Sequence, residues 1–220
     1  MVQKVRASIV SSSRLNDTIW RYVLKPEHFV PYQAGQYLQI HRPEGDSYYS
    51  IANAPIAEPC YDLHVRHRAP AQVWDSQQVL SLSLPYGICD ISHLHLDKPI
   101  LFIAVGTGFA PLRAMIDQLL HQSDPRHFEL YWGVAVSDDL YDQDSLQRWQ
   151  VQRPSFCHVP HISVAHQADL ITLILEQHPD LKDWQIVMAG PFELMYVMQR
   201  ALMQYGIDKQ SIFSDAFEFA

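Results

Sequence analysis

The chain has 220 residues, enough for one large domain or two compact ones of about 100 residues each. A hydrophobic fraction of 48% and a charged fraction of 18% describe a protein able to bury substantial cores. The formal net charge of −8 excludes the broad basic face a nucleic-acid partner needs, but not a nucleotide held by backbone amides and one local cation.

No stretch approaches the roughly eighteen apolar residues of a membrane span, and residues 1–13 lack the apolar segment of a secretion signal. Cys60, Cys89 and Cys157 are odd in number and far apart, so they fit neither a disulfide framework nor an iron–sulfur cluster. A cytoplasmic monomer without membrane contact is expected.

The first half reads as short strands. Residues 3–10 and 18–25 alternate apolar with polar, followed by strands at 36–42, 48–52 and 61–68, each bounded by Pro, Gly or Asp. A short helix is expected over 71–80, then a strand at 81–84 that ends at Pro85 and Gly87. Six short strands with one brief helix predict an antiparallel β-barrel over residues 1–96.

After His95 the rhythm changes. Residues 100–105 form a continuous apolar run that ends in glycines, and a helix is expected from 110 to 121. Strands at 127–133, 156–162 and 185–189 then alternate with helices at 144–150, 168–177 and 192–205, and 211–213 reads as a last strand. This alternation predicts βαβ units, a parallel sheet covered on both faces, and a Rossmann-like nucleotide-binding domain over 97–220.

Gly106, Thr107 and Gly108 stand where the first parallel strand hands over to its helix. Glycines there permit a tight turn and close approach of a ligand, and a helix N-terminus favours a pyrophosphate. Pro111 suits the first helical turn. Gly133, Gly190 and Pro191 mark further strand ends on the same edge, so Gly106, Thr107, Gly108, Pro111, Gly133, Gly190 and Pro191 form the candidate nicotinamide-nucleotide shelf.

Several stretches carry a family resemblance in the same order. Tyr49-Ser50-Ile51-Ala52 resembles the flavin-contacting strand of the ferredoxin–NADP reductase superfamily, and Gly106-Thr107-Gly108-Phe109-Ala110-Pro111 resembles its nucleotide turn. Tyr131-Trp132-Gly133, Leu140-Tyr141 and Ala189-Gly190-Pro191-Phe192-Glu193-Leu194-Met195 resemble its later motifs. Residues 213–219, Phe-Ser-Asp-Ala-Phe-Glu-Phe, look like the C-terminus of bacterial NAD(P)H-flavin reductases.

The resemblance implies hydride transfer from NADH or NADPH to a flavin (riboflavin, FMN or FAD), with small molecules as the only partners. It implies Ser50 as the catalytic hydroxyl near the reacting flavin nitrogen. Tyr48, Tyr49, Ser50, Ile51, Val65 and Arg66 are the implied flavin-binding residues. Two other readings remain open: an electron-transfer reductase component that holds FAD for a partner protein, and a non-catalytic module that keeps the fold.

Departures from the pattern are equally specific. The arginine that grips flavin phosphate in the family is Ser47 here, and 65–74 lacks a glycine-rich phosphate turn. Arg66 and Arg68 are nearby substitutes, or simply solvated. Flavin is therefore expected as a diffusing substrate. Val134-Ala135-Val136 offers no cation for a 2′-phosphate, which favours NADH, although Gln143, Arg148 and Arg153 remain within reach of a ribose. Ala189 replaces a cysteine common among relatives.

Three further expectations concern side chains. His64 and His67 should point to opposite faces of a strand, while His93 and His95 should share one, with no metal site expected. Asp138, Asp139, Asp142 and Asp144 should form a solvated loop and helix start with an Asp N-cap. Phe213, Phe217 and Phe219 should either close over the flavin or pin the tail.

Overall fold

In the computed structural model, residues 1–56, 58–67, 69, 73–75, 78–163 and 169–219 are described. The barrel consists of β1 (Gln3–Arg14), β2 (Ile19–Pro26), β3 (Tyr37–His41), β4 (Ser47–Ser50), β5 (Tyr61–Arg66) and β6 (Val79–Tyr86), ordered β4-β3-β6-β1-β2-β5. All pairings are antiparallel. The two edge strands approach each other through the Ala52 amide, which donates to the Asp62 carbonyl at 2.7 Å, so the barrel is nearly closed.

Alternation explains the core. Val5, Ala7 and Ile9 are buried between exposed neighbours on β1, and they meet Tyr22, Leu24, Leu38, Ile40, Tyr61 and Leu82 inside. Strand β1 runs four residues past the expected end. A bulge after Ile9 keeps Ser11, Ser12 and Ser13 paired with Val23, Tyr22 and Arg21, because ladder hydrogen bonds need no apolar side chain.

The helix expected over 71–80 is corrected where the structure describes it. Residues 73–75 and 78 are not helical, and Val79 and Leu80 open β6, where buried Leu80 pairs with Ala7. Residues 71, 72, 76 and 77, like Arg68 and position 168 of an expected helix, lie outside the described residues.

The second unit is a parallel sheet ordered β11-β10-β7-β8-β9. Its strands are β7 (Ile100–Val105), β8 (Phe128–Val134), β9 (Cys157–Ile162), β10 (Gln185–Ala189) and β11 (Ile212–Phe213). Its helices are α1 (Phe109–His121), α2 (Gln143–Gln152), α3 (Asp169–Gln177) and α4 (Phe192–Tyr205). Every residue of central β7 is buried, as a strand covered on both faces requires. One face packs Phe102, Ile116, Phe128 and Trp149, the other Leu101, Ile103, Ile174 and Leu202.

The chain runs outward from β7 through β8 to β9, then returns to β10 on the other side of β7. This reversal opens a crevice at the carboxyl ends of β7 and β10, where open α/β sheets take their ligands.

Candidate active site

The crevice faces the barrel. A cleft of about 590 Å³ lies between them, walled by Tyr48, Tyr49 and Ser50 of β4 on one side and by 106–108, Gly190 and Pro191 on the other. Of the residues singled out in the sequence, Thr107, Pro111 and Arg66 also line it. Three do not. Ile51 and Val65 are buried in the barrel core, and Gly133, one residue before the end of β8, lies against the Leu170 side chain.

The wall at the ends of β7 and β10 is made mostly of backbone. Gly106 has φ +56°, and a Cβ there would meet no atom within 4 Å, so the turn offers bare main chain to the cleft. Gly108 has the opposite constraint: its Cβ would lie 2.0 Å from the Ala189 carbonyl oxygen, so the ends of β7 and β10 touch only because it is glycine. Beneath the turn, the Trp132 indole donates to the Gly106 carbonyl at 3.0 Å and stacks on Phe109 at 3.9 Å. The first turn of α1 thus opens on the cleft with its positive dipole end.

The barrel wall is made of side chains. Tyr48 is 53% exposed, and Ser50 is half-buried with no hydrogen bond to its hydroxyl among the described residues. Tyr37, Tyr48 and Tyr86 form an aromatic cluster beside them, with centroids 5.6–6.2 Å apart.

Across the seam run contacts that local sequence patterns do not announce. His64 lines the cleft and its Nδ1 lies 3.2 Å from the Tyr141 hydroxyl. Burial, then the Arg113 charge, pushes its imidazole down to about 3, so it is neutral at physiological pH. Arg113 Nη1 donates to the Ala52 carbonyl of the barrel at 2.8 Å, and its Nε donates to Asp142 at 2.7 Å. Asp215 accepts from the Cys89 amide at 3.1 Å, and Glu218 accepts from the Ile88 amide at 2.5 Å. Burial foremost, with Glu218 beside it, pushes Asp215 up to about 8.

Of the four aspartates expected to be solvated, only Asp138 and Asp144 are exposed. Asp139 is buried and takes Arg66 at 3.1 Å and Asn16 at 3.1 Å, while Asp142 stands at the N-cap position of α2 but spends its side chain on Arg113. Arg66 accordingly is neither free nor merely solvated. Arg148 pairs with Asp117, Gln143 donates to the Leu140 carbonyl, and Arg153 donates to the Arg126 carbonyl and covers the Phe128 ring. None of these three lines the cleft.

His64 and His67 do diverge, His67 meeting the Tyr22 hydroxyl at 2.9 Å. His93 closes a 3₁₀ turn and pairs with Asp90, so it shares no strand face with His95. Phe213 packs against the core beside His95, and Phe217 packs on Tyr196. These two rings pin the tail, and Ser214, Asp215 and Ala216 between them line the cleft.

A family model described as an oxidoreductase NAD-binding domain matches residues 102–200. The chain is 30% identical over 213 residues to a CDP-6-deoxy-L-threo-D-glycero-4-hexulose-3-dehydrase reductase of Yersinia pestis, an alignment covering 88% of this chain and 62% of that protein. It thus spans about three fifths of the length of that relative. It is 26% identical over 238 residues to an NAD(P)H-flavin reductase of Vibrio harveyi, covering 98% of this chain and 99% of the other. Its fold is also that of a ferredoxin–NADP+ reductase from Plasmodium falciparum, with a TM-score of 0.81 at 14% identity over 95% of this chain and 94% of that one. An Amycolatopsis cytochrome P450 reductase has the same fold, with a TM-score of 0.86 at 22% identity over 97% of this chain and 69% of that one.

The matched family model is that of an oxidoreductase NAD-binding domain, and the name of the Vibrio harveyi relative pairs NAD(P)H with a flavin. The residues present fit both groups. Gly106 leaves main chain bare for a dinucleotide, and β4 turns an exposed tyrosine and an unbonded hydroxyl toward the same cleft. Among the described residues, no cluster of His, Cys, Asp or Glu could hold a metal ion, and no helix is long and apolar enough to cross a membrane.

Proposed function

We propose that this protein is a cytoplasmic NAD(P)H:flavin oxidoreductase, with a flavin-binding barrel over 1–96 and a nucleotide-binding domain over 97–220. The observation that carries this reading is the single cleft shared by β4 and the 106–108 turn, which brings a flavin wall and a dinucleotide wall together. When both are bound, the cofactors supply the chemistry, a hydride passing from nicotinamide C4 to flavin N5.

The chain's own residues orient and shield that transfer. Gly106, Thr107 and Gly108, with Gly190 and Pro191, hold the dinucleotide against backbone. Tyr48 and Tyr49 hold the flavin, and the Ser50 hydroxyl makes the hydrogen bond at its reacting nitrogen. Ile51 and Val65 contribute through the barrel wall behind them, not through exposed side chains. NADH is the favoured donor, since Ala135 lines the cleft without a cation and Arg148 and Arg153 are engaged elsewhere. Flavin visits as a substrate, because Ser47 carries no charge for its phosphate.

A second reading, an FAD-holding reductase component that passes electrons to a partner protein, is supported by the Yersinia relative, whose own name is that of a reductase of a dehydrase. One experiment separates the two. The purified protein is inspected for bound flavin, and oxidation of NADH and NADPH is followed with and without riboflavin, FMN and FAD. Colourless protein that turns over only with added flavin supports the first reading. Tightly held flavin supports the second, and no turnover with any flavin overturns both.

A further inference from the structure

Three N–H groups at one end of the barrel are buried without a hydrogen-bond acceptor among the described residues: Nε and Nη2 of Arg42, and Nε1 of Trp74. They belong together, because the Arg42 guanidinium lies over the Trp74 ring, 4.6 Å from its centroid. No carboxylate of the described residues forms an ion pair with Arg42. The surrounding rings are neutral. Trp74 stacks on Tyr22 at 4.4 Å and meets Tyr49 edge-on at 5.4 Å, and Tyr22 in turn bonds His67. Burial, then the Arg42 charge, holds His67 below the usual histidine range, so it adds no competing cation.

Buried donors in native proteins are nearly always matched. A set of three donor nitrogens with no acceptor among the described residues, two of them on a permanent cation, is complementary to an anion. A planar guanidinium fork matches the oxygens of a phosphate better than it matches a single acceptor.

Register says which phosphate. In the β3–β4 ladder Leu38 faces Tyr49 and Ile40 faces Ser47, and directly paired residues share a sheet face. Arg42 follows Ile40 by two residues, so it continues the face that bears Ser47 and Tyr49. Tyr49 lines the cleft, and the donors lie one ring behind it, on the barrel wall and not on the glycine turn.

We infer that Arg42 and Trp74 form an anion subsite for the phosphate of a phosphorylated flavin, with Arg42 supplying from the end of β3 the cation that Ser47 does not supply from β4. This inference rests on the flavin-reductase reading and sharpens it: the visiting flavin is FMN or FAD in preference to riboflavin.

The test is equilibrium titration of the whole protein with FMN and with riboflavin, read by quenching of flavin fluorescence. Wild type is expected to bind FMN at least about tenfold more tightly than riboflavin, the worth of one charge-assisted hydrogen-bonded contact. Arg42→Met should erase that preference and leave riboflavin affinity unchanged, and Trp74→Phe should narrow it. Inorganic phosphate should weaken FMN binding and not riboflavin binding. If Arg42→Met fails to fold by circular dichroism, Arg42→Lys, which keeps the charge without the fork, should retain part of the preference. Equal affinities in wild type, or a preference that survives loss of Arg42, would overturn the subsite while riboflavin binding keeps the parent reading alive. Binding of neither flavin overturns both.

Discussion

The two walls of the cleft are built from different material. On the parallel-sheet side the surface is main chain, shaped by Gly106 and Gly108 and braced from below by Trp132 and Phe109. On the barrel side it is side chain: Tyr48, Tyr49 and Ser50 in front, with Trp74 and Arg42 behind. A main-chain surface can be altered only by adding atoms, whereas a side-chain surface can be edited residue by residue.

The walls are held in register by Arg113, and its removal should have the largest effect. The side chain is 13% exposed, that of its partner Asp142 is 15% exposed, and its Nη1 ties Ala52 across the seam. Arg113→Met should cost about 3–5 kcal/mol, as a buried carboxylate loses its cation. Burial alone would raise the Asp142 carboxyl, but Arg113 and the Ser145 hydroxyl more than offset it and hold it below the ordinary range. A depressed folded value means that this stability is present above the unfolded pKa near about 4 and is lost as pH falls through the folded value. Urea titrations at pH 7 and at low pH should show that acid-side loss in wild type and not in the variant.

The next effect separates the walls. Gly108→Ala sets a methyl 2.0 Å from the Ala189 oxygen, a backbone atom that can yield only if β10 moves. The cost should sit at the upper end of the about 1–3 kcal/mol of overpacked sites. Binding of NADH, measured by calorimetry, should be lost while riboflavin binding persists. Parallel loss of both ligands would show that the walls are not independent.

How much of this the sequence revealed follows the same division. The turn at 106–108 and the exact bounds of β7, β10 and α4 were legible, because a continuous apolar run, a glycine pair and a 3.6-residue period are local signals. The seam was not. His64 meets Tyr141, Arg113 meets Ala52 and Asp215 meets Cys89 across separations of 77, 61 and 126 residues, and no local pattern marks such partners. Asp139 and Asp142 read as solvated for the same reason: their cations, Arg66 and Arg113, come from distant elements. The Trp74 region misled differently, since residues 79 and 80 fit a helical period but pair in the β1–β6 ladder.

A smaller effect probes the barrel wall alone. Ser50→Ala removes one hydroxyl to which none of the described residues bonds, so folding should be unchanged. If that hydroxyl serves the reacting nitrogen, single-turnover flavin reduction in a stopped-flow instrument should slow by about tenfold to a hundredfold. Unchanged rates would leave Tyr48 and Tyr49 as the whole of the barrel's contribution.

The smallest expected effect lies where the tail bridges both walls. Asp215 keeps its proton up to about 8 in the folded protein, because burial and Glu218 outweigh the Cys89 amide that favours its charge. An aspartate in the unfolded chain loses that proton near about 4. The folded state thus holds the extra proton between those values, and stability falls as pH rises from about 4 towards 8. Asparagine has the same shape, still accepts from the Cys89 amide and still donates to Glu218, but has nothing to lose. Asp215→Asn should therefore match wild type at about pH 3, below the unfolded value, and exceed it at about pH 8, read as a higher Tm. A variant less stable than wild type at both pH values would mean that Asp215 is charged in the fold, and that the tail is held by a carboxylate rather than by a shared proton.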